Sequence, residues 1–323
     1  MSTRDQLISY LKQKKGEWVS GQSLSNSIAV SRSAIWKHIC TLRDEGYVIE
    51  SSPKKGYCLQ KVSEMLLPRE IKEGLETKVF GKGDIIYFSE TDSTNTRAKE
   101  LATQGAPEGT LVVSEEQTGG RGRKGREWFS PSKGGIYLSL ILRPTISPGE
   151  APKITLLTAV ATAEALLSLT QLEIRIKWPN DILVNGKKLV GILTEMSTDM
   201  DKIDYVVVGL GLNVNTPGFP KDISDKATSL FIETGKQFSR ARLVAEFLKM
   251  EEHYYELFKK VGFEPVITRW KELADIIGKQ IAVEMIDQTL LGEVQDIDGD
   301  GFLILRDNTG TSHRIISGDV ILR

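Results

Sequence analysis

Twelve residues from Gln117 to Trp128 constrain this chain more than any other stretch. They read Gln117-Thr118-Gly119-Gly120-Arg121-Gly122-Arg123-Lys124-Gly125-Arg126-Glu127-Trp128, with four glycines among four basic residues. Glycine loses more conformational freedom on folding than any other residue, so the segment makes a poor helix, and its charges make a poor core. The rest of the fold must hold it as a loop. Apolar strands flank it, Leu111-Val112-Val113 before and Ile136 to Leu142 after. Backbone N–H groups and guanidinium groups in such a loop can wrap an anion. With no anion the cations repel one another, and a mobile loop is expected. The competing readings are a solvated charge run or an RNA-binding arginine–glycine tract. The run is too short for a repetitive tract, and Trp128 with the strand behind it favours a site loop.

Around this loop the apolar spacing describes a mixed α/β unit. Ile85 to Phe88 reads as a strand, followed by the polar turn Asp92-Ser93-Thr94-Asn95 and a short helical run from Thr96 to Leu101. Leu156, Val160, Ala163 and Leu167 place one apolar side on a helix over Lys153–Leu169. Leu172, Ile174 and Ile176 alternate as a half-buried strand does. Ile182-Leu183-Val184, Asn185-Gly186 and Leu189 to Leu193 form a hairpin with a type I′ turn. Tyr205 to Leu210 is a further strand, and Ala241 to Phe258 a long helix. Hairpins imply antiparallel pairing.

Two more polar segments interrupt this frame. Lys177-Trp178-Pro179-Asn180-Asp181 falls where a strand ends, and a residue before proline is steered away from helix, so Lys177 is delivered from a rigid strand end. An ammonium there suits a phosphoryl group on which negative charge accumulates; otherwise it is a surface lysine closing a strand. Gly209-Leu210-Gly211-Leu212-Asn213-Val214-Asn215 permits close approach at its glycines. No third glycine completes a dinucleotide fingerprint, and no Walker phosphate loop occurs.

The two ends differ in charge. Residues 1–65 carry ten Lys and Arg against six Asp and Glu, whereas residues 280–323 carry three against eight. At the basic end, Leu7, Ile8 and Leu11 mark a first helix, Ser20 to Ser27 a second, and Ile35, Ile39 and Leu42 the buried side of a third, capped by Ser31 or Ser33. A hairpin turning at Pro53-Lys54-Lys55-Gly56 follows. This order resembles a winged helix-turn-helix. Arg32, Ser33, Trp36 and Lys37 then lie on an exposed face fit for a major groove, with Lys54 and Lys55 at a wing tip for phosphates. A small helical protein-interaction domain is the alternative. Cys40 and Cys58 read as small buried hydrophobes. At the acidic end, short strands at 281–284, 291–294 and 302–305 suggest a small β-barrel, and Asp296 to Asp300 a solvated turn rather than a Ca²⁺ loop. No apolar run approaches the length of a membrane span, and no signal peptide is evident, so a cytoplasmic protein with no membrane association is expected.

The glycine–arginine loop at 119–126, Lys177 to Asp181, the Ser93-Thr94-Asn95 turn and the strand end at 209–213 together resemble bacterial biotin–protein ligases of the bifunctional type, the biotin operon repressors. The resemblance spans essentially the whole chain. It implies a winged helix-turn-helix DNA-binding domain at 1–64, a biotin/ATP-binding catalytic domain at 65–276 like class II aminoacyl-tRNA synthetase cores, and an SH3-like C-terminal domain at 277–323. It implies Mg²⁺-dependent joining of biotin to ATP, giving biotinyl-5′-adenylate, and transfer of biotin to a lysine of the biotin carboxyl carrier domain of acetyl-CoA carboxylase, with pyruvate carboxylase a further acceptor. The adenylate is also the corepressor of a homodimer on biotin operator DNA.

By motif, the resemblance puts Ser93, Thr94, Asn95 and Gln117 around the biotin ring, and Gly120 and Arg121 in the loop closing over it. Arg123 retains the adenylate, Arg126 faces phosphate and Trp128 packs against adenine. Lys177 is the main catalytic cation, with Arg123 beside it. Gly191 gives the ligand room against the backbone, and Asn213 reads the adenylate end. Asp181 either places Mg²⁺ or fixes its own turn. A biotin-sensing repressor without ligase activity and an adenylating ligase for lipoate are the alternatives.

Overall fold

Serine caps start each N-terminal helix. The computed structural model describes residues 2–199, 202–274, 276–285 and 288–322, and the chain divides into two units, 1–70 and 71–323. In the first unit, Ser2 caps α1 (Thr3–Gln13), Ser20 caps α2 (Gly21–Ile28) and Ser31 caps α3 (Arg32–Asp44), each accepting the backbone N–H three residues on. Leu7, Ile8, Leu11, Leu24, Ile35, Ile39 and Leu42 form the core between the helices. Strands β1 (Val48–Ser52) and β2 (Gly56–Lys61) pair antiparallel, with Ser52 opposite Gly56, so Lys54 and Lys55 occupy the turn. Arg43 donates to the Ile49 carbonyl and the Ser51 hydroxyl, which ties the hairpin to the end of α3. Cys58 is buried as expected, but Cys40 is only half-buried, one position off the core stripe of α3. A short helix, α4 (Pro68–Glu73), crosses the division.

The second unit is organised by one sheet. Its strands are β3 (Ile85–Phe88), β4 (Leu111–Ser114), β5 (Gly135–Leu142), β6 (Arg175–Lys177), β7 (Asp181–Val184), β8 (Lys187–Asp199) and β9 (Lys202–Asn213), ordered β3-β4-β5-β9-β8-β7-β6. β3 pairs parallel with β4, and every other neighbour pair is antiparallel. The β7–β8 turn has positive φ at both Asn185 and Gly186, as a type I′ turn requires. Helix α5 (Thr94–Thr103) packs Ala98 and Ala102 on Val112, Ile141 and Val207. Ile136 and Leu138, of opposite parity to Ile141, meet Leu166 of α6 (Ala151–Leu169) and Leu243 and Phe247 of α8 (Arg240–Val261). The short α7 (Leu230–Thr234) precedes α8, and α9 (Glu264–Leu273) packs on α6 and β6.

Three elements depart from expectation. α5 starts at Thr94 rather than Thr96, which draws Thr94 and Asn95 into its first, buried turn. The alternating run from Leu172 forms a ladder over Arg175–Lys177 alone. α6 is buried on nearly every side, not on one stripe; with the turn before it, Pro148–Leu169 is apolar and long enough to cross a membrane by length and composition, and most of it is packed inside the fold.

In the acidic C-terminal part, β10 (Gln280–Glu284), β11 (Thr289–Ile297), β12 (Leu303–Asp307), β13 (Ser312–Ile315) and β14 (Asp319–Leu322) form an antiparallel sheet ordered β13-β12-β11-β10-β14. Val283, Val294, Leu303, Leu305 and Val320 are buried within it. β13 and β14 were not anticipated as strands, because four residues with a polar first position carry too little apolar signal.

Glu251 of α8 is fully buried; Thr158 donates to its Oε1 at 2.8 Å, and its Oε2 has no partner among the described residues. Burial pushes its pKa up to about 8, against about 4.3 in an unfolded chain. Between those values the folded state binds a proton that the unfolded state lacks, so this residue's contribution to stability falls as pH rises towards 8. Glu251→Gln is expected to raise the melting midpoint at pH 8 by roughly 2–6 °C, with the gain vanishing towards pH 4, as calorimetry would read it.

Candidate active site

Strand alternation builds the floor of the site. In β9, Gly209 and Gly211 face one side of the sheet while Leu210 and Leu212 face the other; Gly211 pairs with Gly191 of β8 and with Tyr137 of β5. The Gly-x-Gly spacing is thus one smooth stripe of sheet surface. A Cβ on Gly211 or Gly191 would collide with the Trp128 indole, and one on Gly209 would collide with the Asn95 amide. Space expected for a ligand at Gly191 is therefore covered by Trp128, whose ring also lies 5.3 Å from the Lys188 ammonium.

One wall is a neutral hydrogen-bond network. Gln117 Oε1 accepts the Thr94 backbone N–H at 2.9 Å and its hydroxyl at 3.2 Å, and Gln117 Nε2 donates to Ser130 Oγ at 3.0 Å. Ser139 Oγ lies 2.9 Å from Thr94 Oγ1 and 2.6 Å from Asn95 Oδ1. Asn95 Nδ2 reaches the Leu193 carbonyl and Glu195. Burial works to raise the Glu195 pKa, but hydrogen bonds from Lys99 and Asn95 outweigh it and hold the carboxylate low. The start of α5 is thereby locked to the sheet, with Ser93, Thr94 and Asn95 all on the cavity wall.

Another part of the lining is cationic, and the glycine–arginine loop supplies most of it. Gly120 and Trp128 close the loop base through a backbone hydrogen bond of 2.9 Å, and Arg121 donates to Thr96 Oγ1 at 2.6 Å. The charges are not left to repel one another. Asp319, at the start of β14, lies 2.5 Å from Arg126, 3.1 Å from Lys124 and 4.0 Å from Arg123. Arg123 also donates to Asn180 Oδ1 at 3.2 Å and to the Gly318 carbonyl at 3.4 Å. Three cations of the loop expected to be mobile thus meet one carboxylate from the C-terminal sheet.

Lys177 sits at the end of β6, directly opposite Asp181 across the β6–β7 ladder. It stands beside the cavity rather than on its wall, and its ammonium has no hydrogen bond or ion pair among the described residues. Burial depresses its pKa most; Lys188 and Arg126 push the same way, while Asp181 and Asp319 oppose them. Asp181 lines the cavity and pairs with Lys188 at 2.7 Å.

Most residues singled out in the sequence therefore meet in one cavity: Ser93, Thr94, Asn95, Gln117, Arg121, Arg123, Arg126, Trp128, Asp181 and Gly191 line it. Gly120 lies behind the wall against Ser130. Asn213 is buried outside the cavity, and its Nδ2 donates to the Thr228 carbonyl at 3.0 Å, so it holds a neighbouring loop. Sequence reasoning missed Asp319, Lys188 and Asn180 as cavity residues. Asn180 lay inside a motif already singled out, but the other two lie in ordinary strand sequence.

The first unit holds a separate groove. Arg32, Ser33 and Trp36 of α3 line it with Lys54 and Ser52 of the hairpin, and Trp36 is 58% exposed. Lys37 and Lys55 are exposed but lie outside the groove, and the Lys55 ammonium stands 5.6 Å from the Trp18 ring.

Three family profiles match in series: an HTH domain over residues 3–58, the biotin/lipoate A/B protein ligase family over 87–213, and the biotin protein ligase C-terminal domain over 276–323. The bifunctional ligase/repressor BirA of Bacillus subtilis is 42% identical over 99% of this chain and 98% of its own. This chain belongs to the bifunctional ligase/repressor family. Its Escherichia coli member is 31% identical over 95% of this chain and 94% of its own. Among solved structures, the biotin protein ligase from Aquifex aeolicus in complex with biotin and ATP superposes with a TM-score of 0.66 at 30% identity, covering 75% of this chain and 99% of that one. The family explains why a cavity with neutral and cationic walls stands in one chain with a separate helix-turn-helix groove.

Proposed function

We propose that the chain is a biotin–protein ligase and a biotin-gene repressor, and that the cavity makes biotinyl-5′-adenylate from biotin and ATP. The observation that carries this reading is one cavity lined both by a neutral hydrogen-bonding network and by Arg123, Arg126 and Lys188. A ureido ring needs paired donors and acceptors, which Thr94, Gln117 and the Ser93–Asn95 turn supply. Two anions, a carboxylate and a triphosphate, need cations to meet.

In the first step a biotin carboxylate oxygen attacks the α-phosphorus, the bond to the bridging oxygen breaks, and pyrophosphate leaves. Lys177 and Arg123 offset the charge gathering on the phosphoryl oxygens, and Arg126 takes outer phosphate. Arg121 and Gly120 belong to the part of the loop closing over biotin. Trp128, already flat on the glycine stripe, is placed to shift from Gly191 and Gly211 onto adenine. Asn213 acts from behind by fixing the Thr228 loop. In the second step a carrier lysine amine attacks the acyl carbon, AMP leaves, and an amide forms with loss of a proton. A closed loop suppresses hydrolysis of the anhydride.

Mg²⁺ would be held chiefly by the nucleotide. Among the described residues no group of three or more His, Cys, Asp and Glu could hold a metal ion, and Asp181 already pairs with Lys188. The ion suits a nucleotide-borne role, with phosphates and water as its main ligands and Asp181 as at most one protein oxygen. Its chemistry is neutralisation of phosphate charge.

The proposed division is 1–64, 65–276 and 277–323, with a class II synthetase-like catalytic core and an SH3-like final barrel. Acceptors are the biotin carboxyl carrier domains of acetyl-CoA carboxylase and pyruvate carboxylase, in the cytoplasm. Repression uses an adenylate-bound homodimer, with Arg32, Ser33, Trp36 and Lys37 at the operator major groove and Lys54 and Lys55 on phosphates.

Incubation with ATP, biotin and a carrier domain tests the ligase, with covalent biotin on the carrier as the expected product. Tight biotin binding without transfer would leave a sensor, and lipoyl in place of biotinyl transfer would change the substrate. Operator gel shifts that fail to depend on biotin plus ATP would remove the corepressor.

A further inference from the structure

We infer that Trp178 is a positioning residue for Lys177, and that the acidic turn at 298–301 is the socket that holds it; the inference rests on the proposed role of Lys177 in adenylation. Trp178 follows Lys177 directly and is 3% exposed. Its indole N–H donates to the Gly301 carbonyl at 3.1 Å in a buried hydrogen bond. The partner comes from the turn between β11 and β12, 123 residues away in sequence.

That turn is built to present one carbonyl. Gly301 has φ of +87°, a backbone conformation that strains L side chains, and a Cβ there would run into Leu156 of α6. Asp298 Oδ1 accepts the N–H of Asp300 at 2.9 Å and of Phe302 at 3.0 Å, and the Gly301 N–H donates to the Asp298 carbonyl at 2.9 Å. Arg314 of β13 joins Asp298 at 2.5 Å and Asp300 at 2.8 Å, and stands 4.5 Å over the Phe302 ring. Lys153 of α6 reaches Asp300 at 3.2 Å. The acidic run that superficially suggested a cation loop thus has its carboxylates committed to shaping the turn and tying it to its neighbours.

The other members of the Lys177–Asp181 segment are tied as well. Asn180 Nδ2 donates to the Ile192 carbonyl at 2.8 Å, and Asp181 pairs with Lys188. Within this segment only the Lys177 head group has no hydrogen bond or ion pair among the described residues, and the origin of its side chain is set by the residues next to it. Trp178 is the nearest of them, and Gly301 fixes Trp178.

Trp178→Phe keeps an aromatic ring and deletes the N–H. Single-turnover adenylation by this variant should be about tenfold slower, as expected when a buried donor is removed, with biotin affinity within about twofold of wild type. A double-mutant cycle separates positioning from general damage: in a Lys177→Ala background, Trp178→Phe should cost almost nothing further. Arg314→Gln loosens the same turn from the surface and should give a smaller loss of the same kind, which covers the case in which Trp178→Phe fails to fold. Losses that add to Lys177→Ala overturn the positioning role alone, as does an unchanged rate for both Trp178→Phe and Arg314→Gln. A wild-type adenylation rate in Lys177→Ala overturns both this inference and the catalytic reading of Lys177.

Discussion

Lys177→Ala is expected to slow biotinyl-adenylate formation by about 10²–10³-fold, the scale seen when one preorganised stabilising group is removed. Biotin affinity should change by less than about twofold, because the Thr94–Gln117–Ser139 wall stands apart from β6. The same residue predicts the pH response. Burial, with Lys188 and Arg126, holds its ammonium below the usual lysine range against the pull of Asp181 and Asp319. On the proposed role the cationic form is the active one, so the rate should be full while Lys177 is protonated and fall as pH rises through that lowered value. A rapid-quench pH profile should show this basic limb in wild type and lose it in Lys177→Ala. Lys177→Arg should recover part of the rate and move the limb upward, since a guanidinium stays charged. Equal adenylation rates for wild type and Lys177→Ala would take Lys177 out of the mechanism.

The second large effect is expected from Arg123→Gly. Arg123 touches Asn180, Gly318 and Asp319 and contributes nothing to the apolar core, so the melting midpoint should move little. On the proposed role in retention, losing the charge-assisted hydrogen bonds it would give the adenylate should speed adenylate release by about 10–100-fold. Stopped-flow dissociation measures this directly, and a free amine in solution should then be acylated by leaked adenylate. An off-rate equal to wild type would remove Arg123 from retention.

Much of this was legible before any coordinates. Ser31 as a cap, the Asn185-Gly186 turn and the antiparallel pairing of all but the β3–β4 neighbours follow from local rules that tertiary packing did not override. The cavity wall was legible too, because glycine, arginine and polar clusters cannot be buried without a purpose. What escaped notice was long-range. Asp319 is one acid in an acidic segment, and nothing near it in sequence indicates that three cations of a loop nearly 200 residues earlier gather on it. Gly191 and Asn213 were recognised as special, but what occupies them, Trp128 and the Thr228 carbonyl, depends on side-chain packing that periodicity does not carry. α6 read as one-sided because the helix period counts residue types, whereas its burial is set by the sheet beneath and α8 and α9 around it.

Pyrophosphate release is the most direct reading of the central claim that loop cations and Lys177 serve one adenylating cavity. With excess MgATP and biotin and no carrier domain, wild-type protein should release about one equivalent of pyrophosphate in a burst, then stall with biotinyl-adenylate bound until a carrier lysine discharges it. A burst independent of biotin, or cleavage of ATP to ADP and phosphate, would contradict the account.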